Sequence, residues 1–144
     1  MINKIEEKLL LLRAKKFADN LEGLESFSIS LLGNDIFAWH RDKLKKSYAI
    51  DDRNERICFE QPVGTDQLIG AVISLLSIDK QFSCWIFYEG RCAIFVRGDD
   101  FHVFLVSMFK LNKTYDLSLI FESPDRVISI SDNEYDVDIY YEIK

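Results

Sequence analysis

The chain has 144 residues, of which 48% are apolar and 13% aromatic, with two prolines and six glycines. That is length and hydrophobicity enough to bury one core without disulfide or metal staples, and too much hydrophobicity for a disordered chain. The net charge of −6 argues against nucleic acid as the main ligand, because phosphate binding needs a basic footprint.

Residues 2–24 predict an amphipathic helix. Ile2, Ile5, Leu9 and Leu12 form one apolar line, and Leu10, Ala14, Phe17, Leu21 and Leu24 a second, both at helical spacing. Its only contiguous apolar run is Leu9–Leu12, too short for the core of a signal peptide, so export by that route is not expected. Ser26–Leu32 alternates Phe27, Ile29 and Leu31 with serines, the period of a half-buried strand. Gly33-Asn34-Asp35 is turn chemistry, and Ile36–His40 reads as the return strand of a hairpin. Arg41–Ser47 reads as weakly structured charge, Asp51–Arg56 as a polar turn, and Ile57–Glu60 as a short strand. Thr65 is a good cap for a central helix that buries Leu68, Ile69, Val72, Leu75 and Leu76 and ends near Ile78. Phe82–Tyr88 and Cys92–Arg97 flank Glu89-Gly90-Arg91 as a hairpin. Phe101–Leu111 reads two ways: Phe101, Phe104, Leu105, Met108 and Leu111 suit a helix capped by Asp99 or Asp100, whereas Val103 and Val106 would suit a strand. Asp116–Phe121, Val127–Ser131 and Tyr135–Ile143 then form three strands joined by tight turns. The expectation is one α+β domain over residues 1–144. An N-terminal helix and a central helix pack on a mostly antiparallel sheet, which ends in a C-terminal three-stranded meander.

The charge is unevenly placed. Asp116, Glu122, Asp125, Asp132, Glu134, Asp136, Asp138 and Glu142 face only Arg126 and Lys144 in the last stretch of chain, and everything before Tyr115 is balanced. In the last strand, alternation sets Tyr135, Val137, Ile139, Tyr141 and Ile143 on one face and Asp136, Asp138, Tyr140 and Glu142 on the other. With the apolar set turned inward, a row of carboxylates around a tyrosine faces outward, with Asp132 and Glu134 near its start. Like charges so spaced repel, which a basic protein partner would relieve. The plainer role for such charges is to keep an edge strand from aggregating. The partner-binding set expected from this row is Asp132, Glu134, Asp136, Asp138, Tyr140 and Glu142.

Other chemistry is thinly represented. Pro124-Asp125 followed by Glu142-Ile143-Lys144 has the order of the PD-(D/E)xK nucleases, which that resemblance would make a magnesium site with a water-positioning lysine. Asp132-Asn133-Glu134-Tyr135-Asp136-Val137-Asp138 superficially suggests a calcium loop but lacks its turn glycine. His40 and His102 are the only histidines, and no activated nucleophile is assignable beside either. Cys58, Cys84 and Cys92 are odd in number and lack metal or redox spacing, as free thiols of a cytoplasmic protein would be. No catalytic residue, cofactor site or metal site is expected, and no stretch is apolar enough to span a membrane.

Small size, acidity gathered on one sheet and the missing catalytic set resemble the immunity proteins of bacterial toxin–immunity systems, including those paired with contact-dependent inhibition toxins. That resemblance implies neutralisation of a cognate toxin, often a basic nuclease, by covering its active site or substrate surface. Type III secretion chaperones are similar in size and acidity but usually end in a helix, where this chain predicts a strand. A metal-dependent nuclease is the enzymatic alternative.

Overall fold

The computed structural model describes residues 3–33, 36–49 and 56–144, the side chains of residues 48 and 49 excepted. Ile2, the Asn34-Asp35 step of the expected hairpin turn and residues 51–55 of the expected polar turn lie outside them.

The first helix, α1, is Lys4–Asp19. The Asn3 side chain caps it by accepting the Glu6 N–H at 2.8 Å. Glu6 and Glu7 in the first turn and Lys16 in the last complement the helix dipole. The helix stops sooner than its apolar period suggests, because Leu24 already belongs to the strand β1 (Leu24–Leu31). Leu10, Ala14 and Ala18 are buried. The other apolar line is not covered: Ile5 is 71% exposed and Leu12 63%.

After β1 the chain departs from expectation. Residues read as a return strand and a charged loop instead form one helix, α2 (Ala38–Ala49). Phe37, His40, Leu44 and Ser47 give it a helically spaced inner edge, with His40, Leu44 and Ser47 buried and Phe37 half-buried. Two of those four side chains are polar, so the period does not show as hydrophobicity. Strand β2 (Arg56–Glu60) follows, and then helix α3 (Thr65–Leu76), whose cap position is Gly64 rather than Thr65. The Thr65 hydroxyl lies 2.9 Å from the Tyr115 hydroxyl instead. Strands β3 (Phe82–Tyr88) and β4 (Cys92–Gly98) form the expected hairpin. Helix α4 (Phe101–Asn112) is capped by Asp100, whose carboxylate accepts the Val103 N–H at 3.0 Å. Strands β5 (Leu117–Phe121), β6 (Arg126–Asp132) and β7 (Asp136–Ile143) complete the meander.

All seven strands join one antiparallel sheet in the order β1-β4-β3-β5-β6-β7-β2. The α+β expectation therefore holds, and the ambiguous 101–111 segment is a helix, one of four among the described residues. The main core lies between one sheet face and α1, α3 and α4, filled by Leu10, Leu68, Val72, Phe101, Phe104, Leu105 and inward strand residues such as Ile94, Leu119 and Ile139. A smaller core under α2 joins Leu44 to Ile120, Val127 and Tyr140 on the opposite face, with Phe37, Trp39, Trp85 and Phe87 around it. The sheet is thus covered on both sides over β5–β7.

One close approach locks the chain near β1. A methyl added at Gly98 would meet the Gly23 carbonyl oxygen at 2.1 Å, and one at Gly23, where φ is +77°, would meet the Asp100 oxygen at 2.5 Å. Only glycine fits either place.

Candidate functional site: the acidic end of the sheet

The alternation expected in β7 is present. Val137 and Ile139 are buried in the main core and Tyr141 packs against it, while Tyr135 and Ile143 at the two ends are exposed. The opposite row does not stand open, because α2 lies over it. Tyr140 is only 2% exposed and belongs to the small core. The Arg56 guanidinium lies 5.6 Å from the centre of its ring. Its hydroxyl donates to Glu142, which also meets Lys43 of α2 at 3.2 Å. Burial pushes the Glu142 carboxyl up, but the hydrogen bonds from Tyr140 and Lys43 and the lysine's charge together outweigh it and hold the carboxyl below its ordinary value.

The remaining members are engaged to different degrees. Asp138 is 8% exposed; the Cys58 thiol donates to it from β2, and the Asn133 amide lies 3.4 Å away. Asp132 accepts from Gln61 Nε2 at 2.8 Å, the Thr114 hydroxyl at 3.1 Å and the Tyr115 N–H at 3.0 Å. It works as a structural brace between the meander and the end of α4. Asp136 is half-buried and accepts from Asn133 Nδ2 at 3.0 Å. Of the six, Glu134 alone is exposed rather than half-buried or buried. The expected set is therefore split between a covered face, holding Asp138, Tyr140 and Glu142, and an open corner at the β6–β7 turn.

That corner gathers more than the sequence suggested. The Asp132 N–H donates to Asp116 at 2.8 Å, Glu60 pairs across from Asp136, and the Gln61 N–H donates to the Tyr135 carbonyl at 3.0 Å. Glu60, Asp116 and Glu134 are exposed at this corner, as is the Tyr135 side chain, at 78%. In the sequence Tyr135 reads as the first inward residue of β7. Its place ahead of the ladder, which begins at Asp136, frees it from that face.

Compared with protein-family models, curated proteins and solved structures, the chain matches none of them.

Two further groupings bear on chemistry. Among the described residues, Cys58, Asp136 and Asp138 place ligand-type atoms within 4.8 Å of one another. The Asn133 amide and the Cys58 thiol already donate into that group. Neither Asp125 nor Glu142 belongs to it. Asp125 and Lys144 instead line a cavity of about 370 Å³ beneath α2, with Trp39, His40, Trp85 and Glu122. There His40 Nε2 lies 3.0 Å from the Phe121 carbonyl oxygen and 3.2 Å from Asp125. The Trp85 indole N–H donates to Glu122 at 2.7 Å, and the Lys144 ammonium sits 6.0 Å from the centre of the Trp39 ring. Each acid of the nuclease-like pattern thus meets a side chain of α2: Asp125 meets His40, and Glu142 meets Lys43. His102 is exposed, 3.8 Å from Asp66.

Proposed function

We propose that this chain is a cytoplasmic protein-binding module of the immunity-protein kind, which neutralises a basic partner such as a toxin domain. The reading is carried by the acidic corner, where exposed Tyr135 is set among Glu60, Asp116, Glu134 and Asp136. A tyrosine offers a large, rigid contact area at low entropic cost, and surrounding carboxylates select and steer a cationic surface. On this reading the contact surface is the β6–β7 turn with the adjoining end of β2, and the α2-covered part of β7 supports it from behind. No described helix is long and apolar enough to cross a membrane.

The test is co-expression with the basic polypeptide encoded beside this gene, followed by affinity measurement at low and high salt. A one-to-one complex that weakens with salt is expected. Tyr135→Ala is expected to weaken it by at least about tenfold, as loss of an interface anchor does. Combined Glu134→Gln and Asp136→Asn should lower the association rate and its salt dependence. An affinity unchanged by all three substitutions would remove the corner as the binding surface.

A further inference from the structure

The two edges of the sheet, β1 and β2, are finished differently. β2 is five residues long, starts at Arg56, ends at Glu60 and runs into Pro62. Those are features that discourage another strand from adding. β1 is eight residues long, and from Ser26 to its end at Leu31 it holds neither a charge nor a proline.

Its register shows which backbone groups are open. The Leu32 N–H donates to the Arg91 carbonyl at 3.0 Å, which continues the ladder that pairs Leu31 with Cys92 and Ser30 with Ala93. Backbone groups alternate along an antiparallel strand, so those of Ser26, Ser28 and Ser30 point towards β4. Those of Phe27, Ile29 and Leu31 point away from it, where no strand lies among the described residues.

We propose that this edge pairs with β1 of a second copy, antiparallel about a two-fold axis at Ser28. The segment Ser26-Phe27-Ser28-Ile29-Ser30 has the same polarity read in either direction, as an isologous contact requires. Pairing about Ser28 sets Phe27 against Ile29 of the other copy, twice over. Both side chains are half-buried against the main core, and such aromatic and β-branched pairs favour strand association. Ser26 meets Ser30, and the outward groups of Phe27 and Ile29 supply the hydrogen bonds. Glu25, the one charge in β1, falls opposite Leu31 in this register, so two chains of net charge −6 meet there without like charges facing each other. Because the axis stands perpendicular to the sheet, the α1 helices, which pack on β1 and β4, fall on the same face of the joined sheet. They carry the uncovered Ile5, Leu9 and Leu12 with them.

Ser28 falls in a non-hydrogen-bonded pair with its own copy, with Cα atoms about 4.5 Å apart, and its side chain is exposed on the monomer. Sedimentation of the wild type should show a dimer, and Ser28→Lys and Ser28→Glu should each sediment as folded monomers with unchanged circular dichroism. An equimolar mixture of the two variants should restore the dimer, because opposite charges then meet across the axis. Oxidised Ser28→Cys should give a disulfide mapped by mass spectrometry between the two copies of position 28. A wild type that stays monomeric at its highest soluble concentration, or a Ser28→Lys protein that dimerises like the wild type, would overturn the proposal. So would a mixture that remains monomeric.

Discussion

Lys43 of α2 lies 3.2 Å from Glu142 of β7, so part of the negative charge gathered at the end of the chain is met by a base from the same molecule. α2 carries His40, Arg41, Lys43, Lys45 and Lys46 against a single Asp42. Packed over the carboxylate row, it occupies much of the ground that the sequence offers to a partner.

This arrangement gives Glu142 a pH signature. Its folded carboxyl titrates below the ordinary 4.5, so its stabilising contribution is fully present above that value and disappears as the pH falls through the lower, folded one. Glu142→Gln should therefore flatten the acid limb of stability against pH, read as the urea midpoint, while costing about 1 kcal/mol at neutral pH. An acid limb as steep as the wild type's would show that the Tyr140 and Lys43 contacts do not hold in solution.

Tyr140 separates a packing role from a contact role. With its ring buried between α2 and the sheet, Tyr140→Ala should destabilise by about 3–5 kcal/mol, in the range of other large aromatic truncations. Tyr140→Phe, which keeps the ring and loses the bond to Glu142, should cost about 1 kcal/mol. Chemical denaturation of both variants measures this. A Tyr140→Ala protein as stable as the wild type would mean that the ring is not in the core.

Asp132 is expected to be worth more to the fold than to any partner. It gathers donors from Gln61, Thr114 and Tyr115, and Asp132→Ala leaves that set without its shared acceptor. A loss of about 2 kcal/mol is expected. Hydrogen exchange at the Tyr115 amide should accelerate in the same variant.

Two glycines should respond in opposite directions. Gly98→Ala drives a methyl into the Gly23 carbonyl and the Phe82 ring, an overpacking expected to cost about 3 kcal/mol or more. Gly70 is an exposed interior residue of α3 with open space around its Cα. Gly70→Ala should stabilise by about 0.5–1 kcal/mol through helix propensity. Thermal melts of the pair test both the β1–β4 contact and the extent of α3.

Thiol reactivity offers an inexpensive check on burial. Burial pushes the Cys84 thiol far up and raises Cys92 as well, whereas Cys58 is exposed. Native protein should therefore react with a thiol reagent at Cys58 alone, and unfolded protein at all three cysteines. Rapid native labelling of Cys84 would contradict the packing of β3.

Much of the fold was readable from the sequence. The β3–β4 hairpin and the meander announce themselves through β-branched and aromatic runs between turn residues, and α3 through a sustained apolar period. Helix α2 was not readable, because His40 and Ser47 take inner positions where the pattern looks for hydrophobes. Missing it had a second effect. A strand that alternates Val137 and Ile139 with Asp138 and Tyr140 reads as having an inside and an outside, yet here both faces are covered. Periodicity reports which side chains share a face, and it is silent on what lies over that face. For the same reason Tyr135 was placed one residue too far into the ladder, and the corner it marks was visible only as a run of acids.

The position of β2 shapes how the molecule must assemble. Among the described strands its sole neighbour is β7, the last of them along the chain, although β2 is the second to be synthesised. Residues 56–60 therefore wait for residues 136–140 before they find their hydrogen-bond partners. β1 waits in the same way for β4. Nascent chains released before β7 would hold two orphaned strands of the far edge, Arg56–Glu60 and the unshielded side of β6. Such distant pairings slow folding and lengthen the exposure of unpaired backbone. During translation, the backbone of β7, which pairs with β2 on one side and β6 on the other, is thus the piece that closes the far side of the sheet against misassociation.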